Sequence, residues 1–112
     1  MTDLAERRCQ PCDGGTAALS EQQAQAALAQ LSKEWLLLER GKAIKREFAF
    51  RDFFRTMSFV NAVAHIANIE DHHPDLEIGY NYCRVRYSTH AVGGLSDNDF
   101  ICAAKIDRIA TR

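Results

Sequence analysis

Two adjacent histidines followed by a proline, His72-His73-Pro74, stand where the longest amphipathic pattern of the sequence stops. Imidazole is the side chain whose ordinary pKa lies closest to neutrality, so it both gives and takes protons near pH 7. Two of them held at a chain break are suited to acid–base work on a small molecule. The competing reading is a solvated pair at a helix C-terminus, favoured there by the helix dipole. The ring of Pro74 disfavours helical geometry at His73. His72 is therefore expected to be the last helical residue, with the two rings turned apart. A third histidine, His90, ends an alternating stretch, on the polar face it shares with Arg84, Arg86 and Ser88.

The elements that must position these residues follow from periodicity. Ser20 with Gln23 three residues on forms a capping box, and Leu19 can staple onto Ala24. The helix this opens is expected to end near Ser32. Trp35 to Leu38 and Ala43 to Phe50 form a hairpin with Gly41 in the turn, Trp35 serving as a core anchor. Asp52 to Asp71 is the strongest helical segment, with Phe53, Met57, Val60, Ala64 and Ala67 on one stripe. A polar stripe of Asn61, His65, Asn68 and His72 runs along the edge of that face, where a pocket between helix and sheet is expected to open. His65 and His72 are two turns apart, unlike paired zinc ligands four residues apart, and His65 reads as a boundary residue. Leu76, Ile78 and Tyr80 alternate with polar neighbours, as do Cys83, Val85, Tyr87 and Thr89 in the stretch Tyr82 to His90. Ser96 caps a last helix with Asp99 in the capping-box position, and Phe100, Ala103, Ile106 and Ile109 form its apolar side. The order helix, strand, strand, helix, strand, strand, helix implies an α+β fold, a four-stranded antiparallel sheet with three helices packed on one face.

The chain has 112 residues and a formal net charge of −1, which suits one domain and favours neither nucleic acid nor an anionic membrane as the main partner. No apolar run is long enough to span a bilayer, and the N-terminus lacks a basic region followed by an apolar one. The expectation is a cytoplasmic protein with reduced cysteines. Residues 1–18 read as a flexible leader ending in the Asp13-Gly14-Gly15 break, and residues 19–112 as the single domain. Within the leader, Cys9 and Cys12 form a lone C-x-x-C. A structural zinc needs two further soft ligands, and a thioredoxin-like pair should follow a strand and open a helix. The expectation is two thiols on a mobile tail and no metal.

Taken together, His72-His73-Pro74, Tyr80, and Ser88-Thr89-His90 with Gly93-Gly94-Leu95-Ser96 and Asp99-Phe100 resemble the pterin-4a-carbinolamine dehydratase family. The resemblance covers roughly residues 20–110. The runs Glu70 to Leu76 and Thr89 to Ser96 are similar to its bacterial branch. It implies a lyase that removes water from a 4a-hydroxytetrahydropterin to give a quinonoid dihydropterin, with no metal and no organic cofactor. The resemblance makes His72 and His90 the proton-transfer residues and His73 a binding residue that shares the proton work. Asp99 and Asn68 are expected to contact the substrate. One departure stands out: mammalian-like members carry a glutamate where this sequence has Asn68, so a carboxylate raising the basicity of His72 is missing there. Glu70 or Asp71 could substitute, or Asn68 could orient the ring. The family also implies a homodimer or homotetramer, and a functional link to an aromatic amino acid hydroxylase in tetrahydrobiopterin recycling. Two other readings compete: a catalytically idle regulatory or dimerisation protein on the same scaffold, and a small metal-binding domain using His72, His73, His90 and Cys83.

Overall fold

The computed structural model describes residues 3–12 and 16–110. Its main elements are α1 (Glu21–Leu28), β1 (Leu36–Leu38), β2 (Ala43–Ala49), α2 (Phe53–Glu70), β3 (Asp75–Ile78), β4 (Tyr82–Tyr87) and α3 (Asp97–Ala110). The four strands form one sheet in the order β1-β2-β4-β3, every neighbour antiparallel. The two hairpins thus meet along β2 and β4, and β1 and β3 are the edges. The architecture is the α+β arrangement implied by the sequence.

Alternation decides the faces. Cys83, Val85 and Tyr87 of β4 and Ile44 and Phe48 of β2 are buried together with Phe59, Val60 and Val63 of α2. Phe100, Ile101, Ala103 and Ile106 of α3 and Ala24 of α1 complete this core. The opposite face carries Lys45, Glu47, Glu77 and Arg84 in ion pairs, which leave that side solvated. Trp35 is 2% exposed, the anchor expected of it, and Phe48 packs 4.5 Å from Phe59 between ring centroids.

The local signals hold at the helix starts. Gln23 N–H donates to Ser20 Oγ at 3.1 Å while Ser20 N–H donates to Gln23 Oε1 at 2.8 Å, so both halves of the capping box form. Asp52 caps α2 by accepting from Arg55 N–H at 2.9 Å. The ends differ from expectation. α1 stops at Leu28, and residues up to Leu31 continue as tight turns, with Gln30 N–H on Ala27 O and Leu31 N–H on Leu28 O. β3 stops at Ile78, and Tyr80 lies in the turn, 66% exposed and stacked on Phe53.

The largest correction concerns the N-terminus. The described part of the expected leader packs against α3: Leu4 and Ala5 are buried, and residues Leu4–Glu6 form a 3-10 turn. Lys105 donates to Ala5 O at 2.8 Å and Arg108 pairs with Asp3 at 2.8 Å. Two apolar side chains next to polar ones are too weak a periodic signal to reveal this docking. The Asp13-Gly14-Gly15 break lies outside the described residues.

One carboxylate ties α3 to the first hairpin. Asp107 accepts from Trp35 Nε1 at 2.7 Å, Arg46 Nη1 at 2.7 Å and Ser32 N–H at 2.9 Å. Replacing Asp107 with Ala strands three partly buried donors. The expected loss is about 2–3 kcal/mol of stability, read as a lower urea midpoint with an unchanged slope.

Candidate active site

α2 ends one turn before Pro74. Asp71 adopts the left-handed conformation (φ 52°, ψ 44°), and the N–H groups of Asp71 and His72 both reach Ala67 O. This left-handed cap ends the helix at Glu70, so His72 is not helical as the sequence suggests. Asp is one of the few side chains that tolerate this backbone region. With the chain already turned, Pro74 keeps His73 extended.

His90 also departs from its expected place. β4 ends at Tyr87, and a single bridge joins Thr89 to Gly94. Between them His90–Val92 make one 3-10 turn, closed by Gly93 in the left-handed region (φ 70°). Thr89 N–H donates to Gly94 O at 2.7 Å and Gly93 N–H to His90 O at 3.1 Å. His90 is therefore an exposed loop residue rather than the last residue of a strand.

These two turns face one another. His72, His73 and His90 line a single cavity of about 500 Å³, together with Asp71, Ser88, Thr89 and Ala91. Glu70, Asn98 and the segment Cys9-Gln10-Pro11-Cys12 complete the lining. A volume of this order suits a small heterocyclic ligand.

Asp99 supports the site from behind. Its Oδ1 lies 2.6 Å from His72 Nε2, while Oδ2 accepts from Thr89 Oγ1 at 2.7 Å and Ser96 N–H at 2.9 Å. Ser96 Oγ turns to Thr89 Oγ1 at 2.7 Å. Asp99 is thus more than half of a capping box: it bonds across the site. It has no exposed surface and is absent from the cavity lining; it reaches that lining through His72 and Thr89, not by the direct substrate contact expected. Asn68 is exposed and does not line the cavity. Neither do Asn61 and His65, which are exposed too, so of the expected polar stripe only His72 reaches the pocket.

The carboxylate missing at Asn68 comes from Asp99 instead. Burial works against a charged His72 ring, but the hydrogen bond and charge of Asp99 outweigh it and hold the imidazole above its ordinary pKa. The ring also stacks on Tyr87 at 5.6 Å between centroids. Glu70 is engaged elsewhere: it accepts from Cys9 N–H at 2.8 Å and pairs with Arg8 at 3.2 Å. The Cys9 sulfur lies 3.6 Å from that of Cys102. This neighbour, then burial, pushes the Cys9 thiol up, which makes it a poor nucleophile. Among the described residues no group of three or more His, Cys, Asp or Glu side chains could hold a metal ion, and no helix is long and apolar enough to cross a membrane. Asn98, Glu70 and the Cys9–Cys12 segment carry no local pattern that marks them as pocket residues.

The fold and the site define a small α+β protein whose pocket brings three histidines together and pairs one of them, His72, with a buried carboxylate. The sequence model of the family described as "Pterin 4 alpha carbinolamine dehydratase" matches residues 17–109. Relatives that match most of the chain carry the name "Putative pterin-4-alpha-carbinolamine dehydratase". The one from Legionella pneumophila strain Corby is 56% identical over 108 residues, 96% of each chain. The one from Nitrosomonas eutropha is 53% identical over 109 residues, 97% of this chain and 95% of the relative. Among solved structures, a transcriptional coactivator/pterin dehydratase from Brucella melitensis superposes with a TM-score of 0.78 at 33% identity, over 83% of this chain and 98% of its own. A pterin dehydratase-like protein described as a RuBisCO assembly factor shares the fold, with a TM-score of 0.61 at 20% identity over 70% of this chain and 92% of its own. The chain belongs to the pterin 4 alpha carbinolamine dehydratase family.

The His72–Asp99 pair has a stability signature. A raised folded-state pKa means that protonated His72 stabilises the fold fully below the unfolded histidine value, about 6.5. That contribution fades as pH rises through the folded value. Changing His72 to Gln should therefore cost roughly 1 kcal/mol more at pH 5.5 than at pH 8.5, measured by urea unfolding at both pH values.

Proposed function

We propose that this protein removes water from a 4a-hydroxytetrahydropterin, giving a quinonoid dihydropterin. The carrying observation is that His72, His73 and His90 line one cavity while Asp99 grips His72 from behind. Family membership supports the substrate class.

The chemistry matches imidazole. Hydroxide on C4a is a poor leaving group until it is protonated. One side chain donates that proton as the C4a–O bond breaks, and water departs. The lone pair on N5 supplies the electrons, and a second side chain takes the proton that N5 releases. His72 and His90 are the two proton carriers in this reading, and His73 binds the heterocycle and shares the proton work. Asp99 engages Nε2 of His72, which leaves Nδ1 as the nitrogen for exchange with the ligand. The pair keeps a protonated imidazole available at neutral pH, as an acid requires. The reaction would serve tetrahydropterin recycling after aromatic hydroxylation, in the cytoplasm, without metal or organic cofactor.

Assembly into a homodimer or homotetramer is part of the same reading. Strands β1 and β3 are sheet edges, and unpaired edges call for cover. Leu36 on β1 is 60% exposed and Ile78 on β3 is 42% exposed.

The test is an absorbance assay on 4a-hydroxytetrahydropterin generated by a hydroxylase. Wild-type protein should accelerate water loss, and the H72A/H90A double variant should lose about a hundredfold to ten-thousandfold. An uncatalysed rate with wild-type protein would point instead to an idle scaffold. The rate should also fall on the alkaline side, at a pH above the ordinary imidazole value, because the acid form of His72 is then lost. A profile that stays flat from pH 6 to 9 would rule histidine out as the acid.

A further inference from the structure

Four consecutive N-terminal residues, Cys9-Gln10-Pro11-Cys12, line the same cavity as the three histidines. They are held there by hydrogen bonds to their backbone. The side-chain amide of Asn98 accepts from Gln10 N–H at 3.0 Å and donates to Gln10 O at 2.6 Å. That two-bond pairing is what a neighbouring strand would offer. One residue earlier, Cys9 N–H donates to Glu70 Oε1 at 2.8 Å. Both clips are buried: Asn98 is 7% exposed and Glu70 is 8% exposed. The Cys9 sulfur packs against Cys102 at 3.6 Å.

The clips sit beside the catalytic apparatus. Glu70 is the last residue of α2, two before His72, and Asn98 precedes Asp99 in the first turn of α3. The two helix ends that place the imidazole therefore also place the segment. We propose that Cys9–Cys12 forms a wall of the pterin-binding pocket, and that Asn98 and Glu70 are positioning residues that hold it against the ligand. This deepens the pterin reading above and rests on it. A flat heterocycle edged with donors and acceptors is fixed by a few placed polar groups. Gln10 and Cys12 are among the lining residues. Asn98 Nδ2 lies 3.4 Å from Cys12 Sγ, so the same clip also reaches the thiol.

The experiment uses the full chain and 7,8-dihydropterin, which has no 4a-hydroxyl to lose. Binding is measured by calorimetry. Alkylation of Cys12 by iodoacetamide is followed by peptide mass spectrometry with and without the pterin. In wild-type protein, saturating pterin should slow Cys12 modification at least fivefold. N98A should weaken pterin binding about tenfold, the effect of losing two ordinary hydrogen bonds. It should raise KM in the dehydration assay by a similar factor with kcat within twofold, because His72 and Asp99 are untouched. The Cys12 measurement needs no variant, so it decides even where N98A folds poorly. Wild-type protein that binds pterin yet leaves Cys12 equally reactive overturns the inference alone. Wild-type protein that binds no pterin overturns the functional reading, and this inference with it.

Discussion

A carboxylate with no exposed surface governs this structure. Burying an ionised side chain is costly unless donors surround it. Asp99 finds three, each from a different segment: His72 after α2, Thr89 after β4, and the Ser96 amide at the start of α3. None of these donors is near another in the chain apart from the last pair, so the charge is tolerable only when the tertiary fold is complete. The same bonds fix the imidazole in space and favour its protonated form. The interaction that makes Asp99 acceptable in the core is thus the one that orients the His72 ring and favours its charged form.

The remaining histidines are placed by backbone geometry. Asp71 turns the chain in the left-handed region, and the Pro74 ring disfavours a return to helical geometry at His73. The Gly93 turn returns the chain from His90 to α3. His72 is largely enclosed while His90 is exposed. The site therefore has a buried half, where the orientation and protonation of His72 are set, and an open half around His90. The N-terminal segment joins the lining through bonds to Glu70 and Asn98, which connects residues 9–12 to a pocket built mainly from residues 70–98.

Much of the fold was legible because local rules agreed with each other. Ser20 and Gln23 made their capping box, Trp35 became a core anchor, and the alternation of Cys83, Val85 and Tyr87 matched the buried face of β4. Local rules failed where a residue answered to a distant one. Asp99 looked like a capping residue with a substrate contact, yet its shortest hydrogen bond goes to a side chain 27 positions away. Asn68 lay on the helix edge that spacing selects but stays in solvent, outside the cavity lining. The docking of Leu4 and Ala5 on α3 had no periodic signature at all.

The amino-acid order by itself determined the element types, the two hairpins, the α+β class and the three histidines, since each depends on neighbours within a few residues. Tertiary structure alone decided which carboxylate serves His72, which residues close the cavity, and that residues 9–12 belong to it. Those outcomes depend on bonds between segments up to about ninety residues apart, and no pattern along the chain encodes which distant donor a buried charge will meet.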